Sequence, residues 1–238
     1  GSCPGYSLPF TRRVVEEINL LRKFDPAYPS FHPISGPGRF PFVPSLSPPV
    51  SVASVIQCTV CHNNDNLDGP RGPHGSNFRP LLERQYETAD PSIESTAAYA
   101  LCYKCHERTS ILSNESFPLH SRHITGESYA IDGGVGGSSS VIRQDTPCNV
   151  CHDPHGVARF GRHSGERLIN FDLDVVEPNS EGALHFESGG GTAGSCSLLC
   201  HGKDHIACSY DAALGQGASG GCGSGASAPG SIENLRMR

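Results

Sequence analysis

One short pattern, Cys-x-x-Cys-His, constrains the fold of this chain more than any other feature. It occurs three times, at residues 58–62, 102–106 and 148–152. A fourth copy, at residues 196–201, has one additional residue between its cysteines. Chance would produce far less than one such match in a chain of 238 residues with 11 Cys and 12 His. The fold must therefore accommodate four similar sites spread along most of the chain.

Each copy has the composition of a c-type haem attachment site. The two thiols form thioethers with the vinyl groups of the macrocycle, and the adjacent histidine binds the iron from one side. The predicted attachment residues are Cys58, Cys61, Cys102, Cys105, Cys148, Cys151, Cys196 and Cys200. The predicted proximal iron ligands are His62, His106, His152 and His201. The sequence thus predicts four covalently bound haem c groups.

Zinc is the main alternative, because paired cysteines also build sites with four thiolates around one ion. That interpretation leaves the histidine after every second cysteine unexplained, since a closed site of four thiolates needs no fifth ligand. A redox-active pair of the thioredoxin type fits less well, because it requires a single motif in a βαβ setting.

The composition supports a cofactor-filled interior. Hydrophobic residues make up 36% and aromatic residues 7% of the chain, which has no Trp but 28 Gly and 19 Pro. A chain of this length should bury a sizeable core, and these residues can fill little of one. Four haems would supply the missing apolar surface. The predicted fold is therefore a single tetrahaem domain, residues 1–238, mostly irregular with a few short α-helices packed around four covalently bound haems.

Composition and charge also exclude several classes of protein. No apolar run reaches the 18 residues or so that a membrane-spanning helix needs. Basic residues number 18 against 24 acidic ones, without a cluster of Lys and Arg, so a nucleic-acid partner is not expected.

The second axial ligands are expected to be histidines. The only methionine, Met237, cannot serve four irons, whereas eight histidines lie outside the motifs. The order of a histidine, a motif, a Pro-His-Gly triplet and a second motif occurs twice, over residues 32–106 and 123–201. It predicts four distal ligands: His32, His74, His123 and His155. His120 and His205 remain open as alternatives, and the polar surroundings of His163 and His185 suggest surface positions.

The rest of the chain divides into an N-terminal part (1–57), a haem-binding core (58–206) and a Gly/Ser-rich tail (207–238). Helical spacing of apolar residues predicts a helix over 11–24, followed by an extended, proline-rich arm over 25–49. A second helix is predicted over 92–105. Three cysteines, Cys3, Cys208 and Cys222, lie outside the motifs, and a Cys208–Cys222 disulfide or three free thiols would account for them.

The run Cys-Asn-Val-Cys-His-Asp-Pro-His-Gly at 148–156, Gly-Pro-His-Gly-Ser at 72–76 and Cys-Tyr-Lys-Cys-His at 102–106 resemble the doubled-motif multihaem cytochromes. With four haems and a proline-rich N-terminal part, the chain resembles the extracellular tetrahaem cytochromes of the OmcE type. The resemblance implies subunits that polymerise into filaments with closely stacked, bis-histidine haems. It also implies that one distal histidine crosses to the adjacent subunit, with His74 or His32 as the positions to test.

The expected function is electron transfer without catalysis, as the subunit of an extracellular conducting filament. A soluble periplasmic tetrahaem shuttle is the alternative, and a multihaem reductase fits less well because it needs an iron with an open position. The expected partners are neighbouring copies of the chain and extracellular electron acceptors or other cytochromes. Covalent haem attachment predicts export through the periplasm with a cleaved signal peptide.

Overall fold

The helices that the computed structural model describes are all short. The model describes residues 13–66, 68–126, 128–131, 140–143, 145–161, 163–211 and 216–222. Within them the α-helices are α1 (Leu20–Lys23), α2 (Arg108–Leu112), α3 (His120–Ile124) and α4 (Cys148–Cys151). Three 3₁₀ turns lie at Cys58–Val60, Cys102–Lys104 and Glu166–Leu168. No helix in the described part of the chain is long and apolar enough to cross a membrane.

A five-stranded antiparallel sheet dominates the C-terminal half. Its strands are β5 (Val176–Glu177), β6 (His185–Gly190), β7 (Ala193–Cys200), β8 (Lys203–Asp211) and β9 (Gln216–Cys222). Strand β7 pairs with β5 and β6 on one side and with β8 on the other, and β9 adds to β8. Two smaller pairs join β1 (Ser30–Phe31) to β4 (Gly156–Val157) and β2 (Ser128–Ile131) to β3 (Ser140–Arg143). The sequence analysis did not predict this sheet.

The largest cluster of buried apolar side chains lies between this sheet and α4. Val150 of α4 packs with Phe186 of β6, Leu198 of β7 and Tyr210 of β8. Cys151, Cys196 and Cys200 pack against the same cluster. One cysteine of the third motif and both cysteines of the fourth therefore lie against a common apolar centre.

Both predicted long helices are wrong. The first is confined to α1, where the Asn19 side chain accepts a hydrogen bond from the Leu21 amide and so starts the helix late. Over residues 13–19 the chain is not helical, and Val15 N donates to Asn170 Oδ1 instead of to a helical carbonyl. The second forms separate turns that end in the Cys102–Lys104 3₁₀ turn. In the first segment Ile18 and Leu21 are exposed whereas Lys23 is buried, so helical spacing predicted neither the backbone nor the buried side there.

The proline-rich arm is irregular over most of its length, as predicted. Its one regular feature is β1, whose Phe31 lies opposite Gly156 of β4. Immediately after this pair, His32 N donates to the carbonyl of His155 at 3.0 Å. The arm thus places a histidine that precedes the first motif beside one that follows the third.

The predicted tail is not uniformly irregular, because β8 and the Gly-rich β9 lie in it. Residues 223–238 and Cys3 are outside the described part of the chain.

Candidate haem sites

The first three motifs each form one helical turn. In each, the amide of the motif histidine donates to the carbonyl of the first cysteine. The N···O distances are 2.8 Å for His62–Cys58, 3.0 Å for His106–Cys102 and 2.9 Å for His152–Cys148. One turn holds both thiols and the histidine close together, as attachment of a single macrocycle through two neighbouring vinyl groups requires.

Each of these motif histidines faces a histidine from outside the motifs. The ring centroids are 6.2 Å apart in His62–His155, 6.5 Å in His106–His32 and 6.4 Å in His152–His120. An iron bound by one nitrogen of each ring, at about 2 Å per bond, would hold the centroids about 6 Å apart. The three pairs fit a haem iron between their rings.

The hydrogen bonds of the rings also suit iron binding. Nδ1 of His62 bonds to the carbonyl of Pro80 at 3.1 Å, and Nδ1 of His152 to that of Arg167 at 3.0 Å. Nδ1 of His106 bonds to Ser45 Oγ at 3.0 Å, and Nδ1 of His32 to the Pro154 carbonyl. Metal-binding histidines commonly use one ring nitrogen in this way, which fixes the tautomer and orients the other nitrogen toward the metal.

Burial favours the neutral form, which binds a metal, in four of these rings. Desolvation, assisted by neighbouring histidines, lowers the pKa of His106 to about 4 and that of His120 to about 3. Burial likewise lowers the pKa of His152 to about 4, against the opposing effect of its hydrogen bond to Arg167. Burial lowers the pKa of His155 to about 4 despite the nearby Asp153 carboxylate.

The predicted distal ligands differ in where the structure places them. His32 and His155 lie opposite His106 and His62. His123 does not face a motif histidine; its neighbour His120, left open by the sequence, lies opposite His152. His74 is exposed, and among the described residues no histidine ring lies against it.

A fourth histidine pair joins two residues from outside the motifs. The rings of His123 on α3 and His205 on β8 have centroids 6.5 Å apart and an interplanar angle of 34°. Nδ1 of His123 bonds to the Leu119 carbonyl at 2.8 Å, and Nδ1 of His205 to the Lys203 carbonyl at 3.1 Å. This pair has the spacing of the other three, and both of its Nδ1 atoms bond to backbone carbonyls.

The fourth motif has a different backbone from the first three. Cys196 and Cys200 lie on β7, where four residues extend over about 13 Å. His201 follows at the tip of the β7–β8 hairpin, where it and Gly202 both have positive φ. Its Nε2 lies 2.7 Å from Asp90 Oδ2. As described, this segment does not hold its two thiols and its histidine in one turn and does not fit haem attachment as the other motifs do.

The expectation that His163 lies on the surface is wrong. It is 2% exposed and packs edge-on against Phe171 and Phe186. Its Nδ1 accepts the Gly165 amide at 3.0 Å, and burial lowers its pKa to about 4. His163 therefore belongs to the apolar interior, which its polar sequence neighbours concealed.

Two ion pairs near the motifs, one buried and one partly buried, were not found by sequence reasoning. Lys23 Nζ lies 2.6 Å from Asp153 Oδ2, directly after the third motif. Lys104 Nζ, inside the second motif, lies 2.8 Å from Glu83 Oε1 and donates to the carbonyl of Val60 in the first motif at 2.7 Å. The second pair thereby links two attachment sites. The partners are 130 and 21 residues apart, so no local pattern reveals them.

The cysteines divide into two groups. All eight motif cysteines have free thiols. Cys208 is disulfide-bonded, and the side chain of Cys222, its predicted partner, is outside the part that the structure describes. Within that part, no group of three or more His, Cys, Asp or Glu side chains is arranged to hold a metal ion.

Comparison with known proteins gives one match. Residues 49–111, about a quarter of the chain, match the family model described as Doubled CXXCH motif. The matched segment contains the first two motifs. No curated protein and no solved structure matches the chain. The match, with the motifs themselves, supports a multihaem c-type cytochrome that binds haem c covalently and transfers electrons.

Proposed function

We propose that the chain carries four haems, each bound by two histidines, and passes electrons between them. The observation that carries this proposal is the set of three pairs, each of a motif histidine and a histidine from outside the motifs, with ring centroids 6.2–6.5 Å apart. When bound, a haem iron accepts and releases one electron by changing between its ferric and ferrous forms. Two axial histidines favour such exchange over catalysis because they leave the iron no open position.

In this proposal three irons are bound by histidines whose rings lie opposite each other: His62 with His155, His106 with His32, and His152 with His120. The chain holds the three sites close together. His152 and His155 are three residues apart and belong to different pairs, and the carbonyl of the intervening Pro154 bonds to His32 of the remaining pair. Short separations between neighbouring sites favour electron transfer.

The fourth haem is proposed at Cys196 and Cys200, with His201 as the proximal ligand predicted from the motif. This site requires the β7–β8 turn to adopt another backbone when haem is attached.

The haem count is tested by intact mass of the mature protein and of a Cys196→Ser/Cys200→Ser variant. We expect four haems in the parent chain and three in the variant. Low-spin spectra without a high-spin component would support two histidines at every iron. Three haems in both proteins would overturn the fourth site, and a high-spin component in the parent chain would overturn the ligation.

We further propose that the chain is the repeating subunit of an extracellular conducting filament, exported through the periplasm and carrying electrons to extracellular acceptors. His74 supports this proposal. It is exposed, whereas His32, the other position implied by the resemblance, lies against His106 of its own chain. His74 is thus the residue we propose to bind an iron of the adjacent subunit.

Electron microscopy of the mature protein tests the filament. We expect filaments from the parent chain and from a His185→Ala control, and dispersed subunits from His74→Ala. Particles that stay monomeric at high concentration would overturn the filament and favour the soluble periplasmic shuttle. Filaments that persist in His74→Ala would overturn the role of this histidine alone.

A further inference from the structure

A buried ion pair lies at the junction of three proposed haem sites. Lys23 Nζ and Asp153 Oδ2 are 2.6 Å apart, and the two side chains are 4% and 0% exposed. Asp153 also accepts hydrogen bonds from Asn170 Nδ2 at 3.4 Å and from the amide of His155 at 3.1 Å. Every contact of this carboxylate is therefore with the interior of the protein.

The sequence position of Asp153 brings it next to three histidine pairs. It directly follows His152 and precedes His155 by two residues, and Pro154 between them bonds to His32. Asp153 Oδ1 lies 4.0 Å from Nδ1 of His155. Lys23, which binds this carboxylate, lies 130 residues earlier in the chain.

Phe24, the residue after Lys23, also contacts His155. The ring of Phe24 packs edge-on against His155, with centroids 5.6 Å apart. The α1 end therefore supports the same histidine by packing and by charge.

Stability alone gives little reason for such a pair. Removing two charges from water costs several kcal/mol per ion by general estimates, and apolar residues of similar size often stabilise a protein as well or better. The pair does place two opposite fixed charges where water screens them weakly. Reduction adds an electron to a site, so a nearby carboxylate opposes it and a nearby ammonium favours it.

We propose that Lys23 and Asp153 shift the reduction potentials of the haems whose ligands surround them, in opposite directions. The inference depends on the proposed bis-histidine haem sites. The positive charge of Lys23 raises these potentials and offsets the negative charge of Asp153 beside His155. The Asp153 carboxylate lowers them, so that they stay below the values that Lys23 alone would give. The two residues act through charge and position and do not themselves bind iron.

The test measures reduction potentials by spectroelectrochemistry of the mature protein near neutral pH. Lys23→Met should shift at least one haem to lower potential, and Asp153→Asn should shift at least one to higher potential. Each single variant should change the reduced-to-oxidised ratio at a fixed applied potential by about tenfold. The Lys23→Met/Asp153→Asn double variant should return close to the parent values.

Arg22→Met is the matched control. It removes the same charge from the adjacent residue, whose side chain is 65% exposed and pairs with Glu17 at 3.5 Å, and it should leave the potentials unchanged. Lys23→Arg keeps the charge and should retain parent-like potentials.

Unchanged potentials, or shifts of the same sign in both single variants, would overturn the inference provided that the low-spin spectrum is retained. If a single variant fails to mature, the inference is tested with the double variant and with Lys23→Arg. Reduction potentials that differ from the parent in both of these proteins would also overturn the inference. A parent protein without bis-histidine spectra would instead overturn the proposed function on which the inference rests.

Discussion

His120 and His123 lie three residues apart on α3, yet each faces a different histidine. Sequence spacing alone does not separate them, because residues three apart share one side of a helical turn. Their surroundings do: Phe117 packs edge-on against His120 and at a lower angle against His123, so the two rings occupy different directions around it. Which of the two faces a motif histidine depends on distant contacts: His123 lies against His205 of β8, and His120 lies against His152 of the third motif.

We expect His120→Ala to remove the distal ligand of one haem and leave a high-spin iron. The variant should bind about one equivalent of cyanide per chain, because the open position accepts a ligand. Cyanide titration followed in the visible spectrum measures this, with His185→Ala as the control that binds none. A His120→Ala protein that does not respond to cyanide would contradict the assignment of His120.

The Glu94 carboxylate provides a pH-dependent prediction. Its side chain is 4% exposed and receives two bonds from Arg108, at 2.8 and 2.6 Å, and one from Tyr103 Oη at 2.9 Å. The Arg108 bonds lower its pKa below the ordinary 4.5 and outweigh the opposing effect of burial. Its stabilising contribution is complete above pH 4.5 and disappears as the pH falls through the lowered pKa.

Glu94→Gln should therefore cost about 1 kcal/mol of unfolding free energy at neutral pH, a modest value because Arg108 is 41% exposed. The difference from the parent should vanish in strong acid. Urea unfolding at several pH values measures both, with Glu181→Gln at an exposed position as control. A difference that grows toward low pH would contradict the assignment.

Among the elements, β4 places the strictest demand on its sequence. A Cβ on Gly156 would overlap the carbonyl oxygen of Lys23 and lie 3.1 Å from the Phe31 Cβ. Only glycine allows the arm and the end of α1 to approach this closely. The approach fixes His32 and His155 together.

We expect Gly156→Ala to destabilise the protein by about 1–3 kcal/mol and to disturb the haems bound by His32 and His155. Gly75→Ala is a matched control, since Gly75 ends the other Pro-His-Gly triplet and has no atom within 4 Å of an added Cβ. Thermal unfolding and the low-spin spectrum measure the two effects. Equal behaviour of the two variants would contradict the close packing at Gly156.

The sequence predicted the elements unevenly, for physical reasons. The spacing of the three regular motifs predicted haem attachment, and the turns found at 58–62, 102–106 and 148–152 agree with it. The hairpin at His201 and Gly202 was missed, since β pairing depends on partners such as His205 opposite Leu198 rather than on local spacing. The pairing of His62 with His155 was also beyond local reasoning, because 93 residues separate them.

The described part of the chain has a small apolar interior. The buried apolar residues of the described part are few, and its main cluster has six members. A domain of this length normally buries much more.

We therefore expect the chain to fold cooperatively only with haem attached. A variant with all eight motif cysteines changed to serine should lose its thermal transition, whereas the mature protein should show one. Circular dichroism during heating compares the two. A Cys208→Ser variant, which lacks the disulfide but keeps the motif cysteines, distinguishes the contribution of the disulfide from that of the haems. A cooperative transition in the haem-free variant would contradict this expectation.

The register of β7 and β8 affects how the protein matures. Cys196, a predicted attachment residue, lies directly opposite Cys208 in the strand pair. Two thiols facing each other across a strand pair would oxidise to a bond that removes Cys196 from haem attachment. Cys208 is already engaged in a disulfide, so this competing product is blocked. Oxidation of Cys208 before haem attachment would thus preserve the fourth site, and the order of these two events becomes part of how the cytochrome is made.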